Sequence, residues 1–301
     1  MTRPIILDLT PGAQAMAALL AAVQVPDHVR VVQVLFSGEA AGVEAAMTQA
    51  RDLLDRHGLE DVGVHAGCPG PLVHAGGAVK SVSQGEPGLA AQYLVQAIRA
   101  CPPDGVTVCC TGPLTTLALA MVQAPDICAH LHGVIASGGA LYSPGDATPV
   151  AERNIAADPE AAATVMAAGV PLTLIPLDCT SRLNADAVWM EQLAPMGAAP
   201  ASVAGHVHAL LAAARMGRGG GNGVDISLRA AAPLLALLAP GLFGGHLAHV
   251  DVECRGTFTR GMTVARRIGP PGVQPNALVL ERMSIDAGRG LLRDLLLAAR
   301  K

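Results

Sequence analysis

Four carboxylate side chains stand at the ends of predicted strands or in the loop that follows one of them. Asp8 closes the first predicted strand, Glu39 follows the second, and Asp146 and Glu152 lie in the long loop after the fifth. Ligands of open α/β sheets lie outside the carboxyl ends of the strands, so these acids are expected to face one cavity. Clustered carboxylates raise one another's pKa or require a positive partner, which Arg153 or Arg229 would supply.

Asp8 is the first candidate for chemistry, as a general base or as a ligand to a cation, because it ends a buried strand at the expected ligand edge. The alternative is that its side chain caps the helix predicted to begin near Ala13. Glu39 has the alternative role of favouring a helix N-terminus electrostatically. For Arg229 the alternative is an exposed arginine at the start of a helix.

Short aliphatic runs alternate with stretches of helical period, a pattern typical of a parallel sheet connected by helices. The runs are apolar on both faces and predict buried strands at Ile5–Leu9, Val31–Phe36, Val62–Ala66, Val106–Cys110, Gly133–Ala136 and Leu172–Leu177. The helical stretches between them are Ala13–Val23, Ala40–His57, Gly88–Ala100, Leu114–Val122 and Pro159–Ala168. Asp158 precedes Pro159 and is predicted to cap the last of these helices.

The pattern of apolar residues changes in the part of the sequence that follows Trp189. It predicts helices at Ala201–Ala214, Ala230–Leu238 and Ile285–Ala299, and extended segments at Ala248–Cys254 and Ala277–Met283. Five glycines among the eight residues Met216–Gly223 predict a mobile loop. Nothing resembles an interdomain linker, so we predict one α/β domain over residues 1–301, with a single open, mostly parallel sheet flanked by helices.

Composition excludes several classes of protein. Hydrophobic residues make up 51% of the 301 and charged residues 15%, which excludes a disordered chain. A net charge of −4 and an aromatic content of 2% argue against nucleic acid as a partner. No apolar run reaches the roughly 20 residues of a membrane-spanning helix. Seven cysteines without metal-like spacing indicate reduced thiols, and we expect a cytoplasmic protein that binds a small molecule.

Several motifs occur in order along nearly the whole chain and together resemble the inosine-uridine-preferring nucleoside hydrolases. They are Thr111-Gly-Pro-Leu-Thr115, Gly138-Gly139-Ala140, Glu152-x-Asn154, Asp158-Pro159-Glu160-Ala161-Ala162, Leu177-Asp178-x-Thr180, Asp251-Val252-Glu253 and Thr259-Arg260-Gly261-x-Thr263-Val264. The resemblance implies an open α/β domain with a ribose pocket at the strand ends, assembled as a homodimer or homotetramer. It also implies that Asp146, Glu152 and Asn154 contact the sugar, as does Glu39 at a position usually held by asparagine. Hydrogen bonds that stabilise the loop are an equally good account of Glu152 and Asn154.

The sequence departs from this family where the family binds calcium. The family's signature is D-x-D-x-G-x-D-D, but here only Asp8 remains, with Thr10 at the second aspartate and Gln14-Ala15 in place of the final pair. A His-Asp pair that supplies a proton donor and a metal ligand is replaced by Arg229-Ala230. Gln84 stands where a histidine is frequent.

Counting ligands predicts the consequence for calcium. Asp8 and the main-chain carbonyl of Thr115 remain, whereas Ca²⁺ takes about six to eight oxygens. We therefore expect calcium to be weakly bound or absent.

Two functions follow from this pattern. The first is an N-glycosidase acting on a nucleoside or ribosyl compound through altered chemistry, with Asp8 and Arg229 as catalytic residues. The alternative is a non-catalytic relative that binds a ligand or serves as a partner subunit.

Overall fold

The computed structural model describes residues 2–38, 42–73, 87–197, 202–216, 225–267 and 272–298. Its main feature is a nine-stranded sheet formed by β1 (Arg3–Leu9), β2 (Val29–Phe36), β3 (Gly63–Ala66), β4 (Val106–Cys110), β5 (Leu131–Ser137), β6 (Leu172–Ile175), β9 (Phe243–Val252), β10 (Thr263–Arg266) and β11 (Ala277–Met283). The strand order is β10-β9-β11-β6-β5-β4-β1-β2-β3. All pairings are parallel except those that β9 makes with β10 and β11. The predicted fold class is therefore confirmed.

Helices cover both faces of this sheet. One face carries α1 (Ala13–Val23), α2 (Val43–Asp55), α10 (Val203–Met216), α11 (Ala232–Leu238) and α12 (Ile285–Ala298). The other carries α3 (Pro87–Arg99), α4 (Thr115–Gln123) and α6 (Pro159–Ala167). The remaining short elements are α5 (Arg153–Ala157), α7 (Leu177–Thr180), α8 (Ala187–Gln192), α9 (Ala194–Gly197) and a hairpin of β7 (Asn184–Ala185) and β8 (Ile226–Ser227).

The connections place a ligand site between β1 and β4. From β1 the chain proceeds to β2 and β3 on one side, and β4 and β5 lie on the other, so the strand order reverses between β1 and β4. Loops that leave two such strands in opposite directions open a crevice at the sheet's carboxyl edge. In register, Asp8 lies opposite Cys110 at this edge.

Most predicted elements are confirmed within two or three residues. The predicted strand Leu172–Leu177 is two residues too long, because Pro176 has no N–H to donate to a strand and starts α7 instead. The predicted cap is confirmed, since the Asp158 carboxylate accepts the Ala161 N–H at 3.1 Å. All seven cysteines lie in the described ranges, and none of them forms a disulfide bond there. Glu39, Gln84 and most of the predicted glycine-rich loop lie outside the described residues.

Several short elements were not predicted, among them α5 and β10. The loop that follows β5 contains the short helix α5. The edge strand β10 lies in the chain between β9 and β11, which correspond to the two predicted extended segments. Both α5 and β10 have five residues or fewer, too short for a periodic pattern to indicate them.

Candidate active site

Asp8 lies at the crevice between β1 and β4 and is completely inaccessible to solvent. Its main-chain carbonyl accepts the Thr111 N–H at 2.8 Å, which joins the ends of the two strands. Helix α1 begins after Gly12, whose φ of +143° few other residues adopt, and no side chain caps this helix. The alternative role of Asp8 as a helix cap is therefore wrong.

The Asp8 carboxylate has no hydrogen-bond partner among the described residues for either of its oxygens. Burial disfavours the charged form and raises the pKa of Asp8 to about 7. The nearby Ser37 hydroxyl, which also pairs with the Thr116 hydroxyl at 3.1 Å, opposes this shift only in part. A buried carboxylate with this pKa changes its protonation state near neutral pH, which suits a group that takes up or releases a proton.

Other unpaired oxygens lie around the same crevice. Within the described chain, the side-chain carbonyl of Gln14 and the hydroxyl of Thr111 are buried and lack hydrogen-bond partners. Thr10 differs from these two, since its hydroxyl donates to the Thr111 carbonyl at 3.0 Å. Unpaired buried polar atoms are rare in folded proteins and often occur at sites that bind a ligand or perform chemistry. Sequence reasoning noted Gln14 as the replacement of an aspartate whose oxygen could rebuild part of a metal site, and it did not single out the Thr111 hydroxyl.

Glu152 combines a structural contact with one oxygen that faces the site. Its side chain is 2% exposed, and Oε2 accepts the N–H groups of Gly139, Asn154 and Ile155 at 3.1, 2.9 and 3.2 Å. These bonds cap α5 and hold the loop after β5. Burial raises the pKa of Glu152, and the backbone N–H groups together with Arg229 oppose that shift. Oε1 lies 4.0 Å from the Arg229 guanidinium.

Asn154 connects the ends of two strands. Its Nδ2 donates to the carbonyl of Thr111 at 3.2 Å and to that of Ser137 at 3.0 Å. Loop stabilisation, the alternative account of Glu152 and Asn154, is therefore a real part of what both side chains do. Both also line the cavity described below, so their contact with a sugar stays a prediction.

Arg229 is the cationic partner of the acids. Its guanidinium donates to Asp146 Oδ2 at 2.9 Å and to the Ser227 hydroxyl at 3.0 Å. The other oxygen of Asp146 accepts the Arg153 N–H at 2.8 Å. Arg229 starts a 3₁₀ turn, but its side chain is only 24% exposed, so its alternative interpretation as an exposed arginine is wrong.

Replacing Arg229 tests this ion-pair cluster. We expect Arg229→Gln to lower the free energy of unfolding by about 1–2 kcal/mol, because it removes charged hydrogen bonds and leaves the buried Glu152 without a cation. Urea denaturation at pH 8 measures the change. Arg99→Gln is the matched control, because Arg99 pairs with Asp126 on the exposed surface. An equal effect of the two substitutions would show that the Arg229 cluster stabilises the fold no more than an exposed ion pair does.

Thr115 supports the site through Asp158. The Thr115 hydroxyl donates to Asp158 Oδ2 at 2.7 Å, and the same oxygen accepts the Leu72 N–H at 2.8 Å. Asp158 is fully buried and thus ties the start of α4 and the segment after β3 to the cap of α6. The sequence predicted the cap but not these two further contacts, which join residues 43 and 86 positions apart.

The oxygen donors at the crevice do not fit calcium. Ca²⁺ takes about six to eight oxygens and prefers several carboxylates among them. Asp8 supplies one carboxylate, and the unpaired side-chain oxygens of Gln14 and Thr111 beside it are neutral. In the ranges that the structure describes, no group of three or more His, Cys, Asp or Glu side chains is arranged to hold a metal ion.

No described helix is long and apolar enough to cross a membrane.

The cavity at the carboxyl ends of the central strands has two lobes. The polar lobe, of about 260 Å³, is lined by Gln14, Thr111, Glu152, Asn154 and Arg229 among others. The proline-walled lobe, of about 320 Å³, is lined by Ser37, Cys68 and Thr115 and by Pro11, Pro69, Pro71 and Pro113. Thr10, Pro11, Arg153 and Asn154 line both lobes, which therefore adjoin. The structure brings Glu152, Asn154 and Arg229 together with Asp146. Asp8 is not among the described residues that line either lobe, but it lies near the end of β1, two residues before Thr10, which lines both.

Comparison with known proteins identifies the family. Residues 5–289 match the family model described as inosine-uridine preferring nucleoside hydrolase. The pyrimidine-specific ribonucleoside hydrolase RihA of Shewanella woodyi is 32% identical over 298 residues, which cover 93% of each chain. The non-specific ribonucleoside hydrolase RihC of Shigella dysenteriae is 31% identical over 294 residues, also covering 93% of each chain.

Solved structures of two hydrolases share the fold. A plant nucleoside hydrolase, the PpNRh1 enzyme, superimposes with a TM-score of 0.80 at 24% identity over 98% of this chain and 99% of its own. A purine-preferring ribonucleoside hydrolase from Gardnerella vaginalis gives the same TM-score of 0.80 at 20% identity over 99% of both chains. The family match and these likenesses confirm the resemblance found in the motifs. The chain belongs to the inosine-uridine preferring nucleoside hydrolase family.

Proposed function

We propose that this protein is a ribonucleoside hydrolase that cleaves the N-glycosidic bond of a nucleoside or ribosyl compound with water. The observation that carries the proposal is Asp8, which is buried at the switch point of the sheet, has no partner among the described residues for either carboxylate oxygen, and has a pKa of about 7. A structural carboxylate would be paired, as Asp158 and Asp178 are. Membership of the family supplies the reaction class.

In the proposed reaction Asp8 acts as the general base. The water oxygen forms a bond to the anomeric carbon of the sugar while the bond from that carbon to the base nitrogen breaks, and its electron pair stays on the nitrogen. The ionised Asp8 accepts a proton from the attacking water, and the departing base takes up a proton from solvent. The sum is one riboside and one water converted to ribose and free base.

The polar lobe would hold the sugar. Glu152 Oε1 and Asn154 offer contacts for ribose hydroxyls, and their backbone bonds keep them in place. Asp146 and Arg229 complete this wall. The Arg229 N–H groups that Asp146 and Ser227 leave unused could donate hydrogen bonds to the departing base. Glu39, predicted to touch the sugar, lies outside the described residues and stays a prediction.

Ribose release tests the proposal directly. The protein, freed of metal by a chelator, is incubated with uridine, cytidine, inosine, adenosine and guanosine, and free ribose is measured against the Asp8→Asn variant. We expect release from at least one riboside. No release by the wild-type protein contradicts the proposal and favours a relative that only binds. Equal release by both proteins would instead show that hydrolysis does not need Asp8.

Calcium should have little effect on this activity. Because the donors at the crevice do not fit the ion, we expect turnover to change by less than about twofold when calcium replaces the chelator. Activity assays with excess chelator and with millimolar calcium measure this, and calorimetry measures binding of the metal alone. Recovery of most activity on adding calcium would show that the crevice holds the ion after all.

Assembly and location complete the proposal. We propose a homodimer or homotetramer that acts in the cytoplasm on a small-molecule nucleoside. Leu247 and Leu278 support the assembly, since they are paired in neighbouring strands and are 63% and 37% exposed. Light scattering after size-exclusion chromatography determines the oligomeric state.

A further inference from the structure

Arg153 is a cation at the cavity without a partner for its side chain. The residue is exposed and lines both lobes. Its main-chain N–H donates to Asp146, but its guanidinium forms no hydrogen bond or ion pair with any residue of the described chain. Arg229, the other arginine at the cavity, is held by Asp146 and Ser227. The positive charge of Arg153 is therefore available to a ligand.

In the proline-walled lobe, the charge of Arg153 stands among uncharged residues. Among the described residues lining that lobe, Arg153 is the one that carries a charge. Its other described walls are prolines, glycines and small uncharged side chains. A flat ring fits such walls, and a guanidinium at the border binds carboxylate or phosphate with two parallel hydrogen bonds.

We propose that the substrate is an anionic riboside and that Arg153 selects it by binding the anionic group. This inference rests on the proposed function and names the substrate class of the same site. Two sources of the anion have the chemistry that Arg153 recognises, a carboxylate on the ring or a phosphate on the sugar. In both cases the sugar occupies the polar lobe, and the ring extends into the proline-walled lobe past Arg153.

Three probes separate the two sources. Uridine, orotidine and uridine 5′-monophosphate share one ring and one sugar, and they differ by a ring carboxylate or a phosphate. Calorimetric titration of the wild-type protein is expected to show at least about tenfold tighter binding of one anionic probe than of uridine. This ratio of dissociation constants corresponds to the free energy of one charged hydrogen bond. Orotidine as the tighter ligand indicates the ring carboxylate, and uridine 5′-monophosphate indicates the phosphate.

Variants assign the preference to Arg153. Arg153→Gln should abolish it, and Arg153→Lys should keep part of it because the charge remains. Arg30→Gln is the matched control, since Arg30 is exposed near the start of β2, at the opposite end of the strands from the cavity. Thermal melting checks that each variant is folded.

The outcomes separate this inference from the proposed function. Equal binding of the three probes, no binding of any of them, or a preference that persists in Arg153→Gln overturns the inference. Ribose released from neutral nucleosides without an anion preference leaves the proposed function standing alone. An anion preference that depends on Arg153, without ribose release from any riboside, supports the inference and contradicts the hydrolase.

Discussion

Asp8→Asn is expected to hydrolyse nucleosides about 10²- to 10⁴-fold more slowly than the wild-type protein, the usual contribution of a positioned general base. Asparagine has nearly the shape of aspartate but cannot accept the proton of the attacking water. Steady-state kinetics on the best riboside measures kcat and KM separately. The loss should appear in kcat, because the base acts on the water in the reaction step.

The pH profile shows whether the lost group is the base. Because Asp8 has a pKa of about 7, kcat/KM of the wild-type protein should fall about tenfold for each pH unit below 7. The residual activity of Asp8→Asn should lack this limb. Asp52→Asn, on the exposed surface of α2, is the matched control and should keep full activity. A loss below tenfold in Asp8→Asn would exclude Asp8 as the base.

The second large effect is on stability. Asp8 titrates at about 7 in the folded protein, whereas an aspartate in the unfolded chain titrates near 3.8. Below pH 4 the carboxyl is protonated in both states and costs nothing. Between pH 4 and 7 the unfolded chain releases this proton and the folded protein retains it, so rising pH favours unfolding. The free energy of unfolding should therefore fall by about 4 kcal/mol over this range and then level off.

Asp8→Asn isolates this contribution. The difference in unfolding free energy between Asp8→Asn and the wild-type protein should grow from near zero at pH 4 to about 4 kcal/mol at pH 8, with the variant the more stable. Urea denaturation at intervals of one pH unit measures it. For Asp52→Asn the difference should stay within about 0.5 kcal/mol at every pH. A difference for Asp8→Asn that does not change with pH would mean that its carboxyl is not held in the neutral form.

The two effects of Asp8→Asn have one physical origin. Ionising Asp8 in its buried environment is unfavourable, and the same environment brings its pKa to the range where a base can both hold and release a proton. A side chain that only supported the fold would instead gain stability from its partners, as Asp158 does through the N–H of Leu72 and the hydroxyl of Thr115. Asp8 lacks such partners in the described chain, and this contrast with Asp158 supports the proposal that Asp8 is a functional residue.

The sequence predicted the fold well because its signals are local. The central strands Ile5–Leu9 and Val106–Cys110 are continuous aliphatic runs, and α6 begins with a carboxylate cap followed by proline. Such patterns depend on neighbours a few residues away. The short helix α5 could not be predicted in this way, since it is capped by Glu152, whose carboxylate also binds the Gly139 N–H across the loop.

Both the sequence and the tertiary structure were needed to define the candidate site. By itself the sequence determined which residues reach the ligand edge, because a strand's end and the loop after it follow from hydrophobic pattern and turn residues. It also determined that aspartates usual in this family are missing, since identity at a position needs no structure.

The tertiary structure alone decided how those side chains interact. It brought Arg229 to Asp146 across 83 positions. Within the part of the chain that the structure describes, it left the oxygens of Asp8 and the guanidinium of Arg153 at the cavity without partners. Ion pairing, burial and pKa depend on atoms that fold together from distant parts of the chain, and no spacing along the sequence encodes those distances.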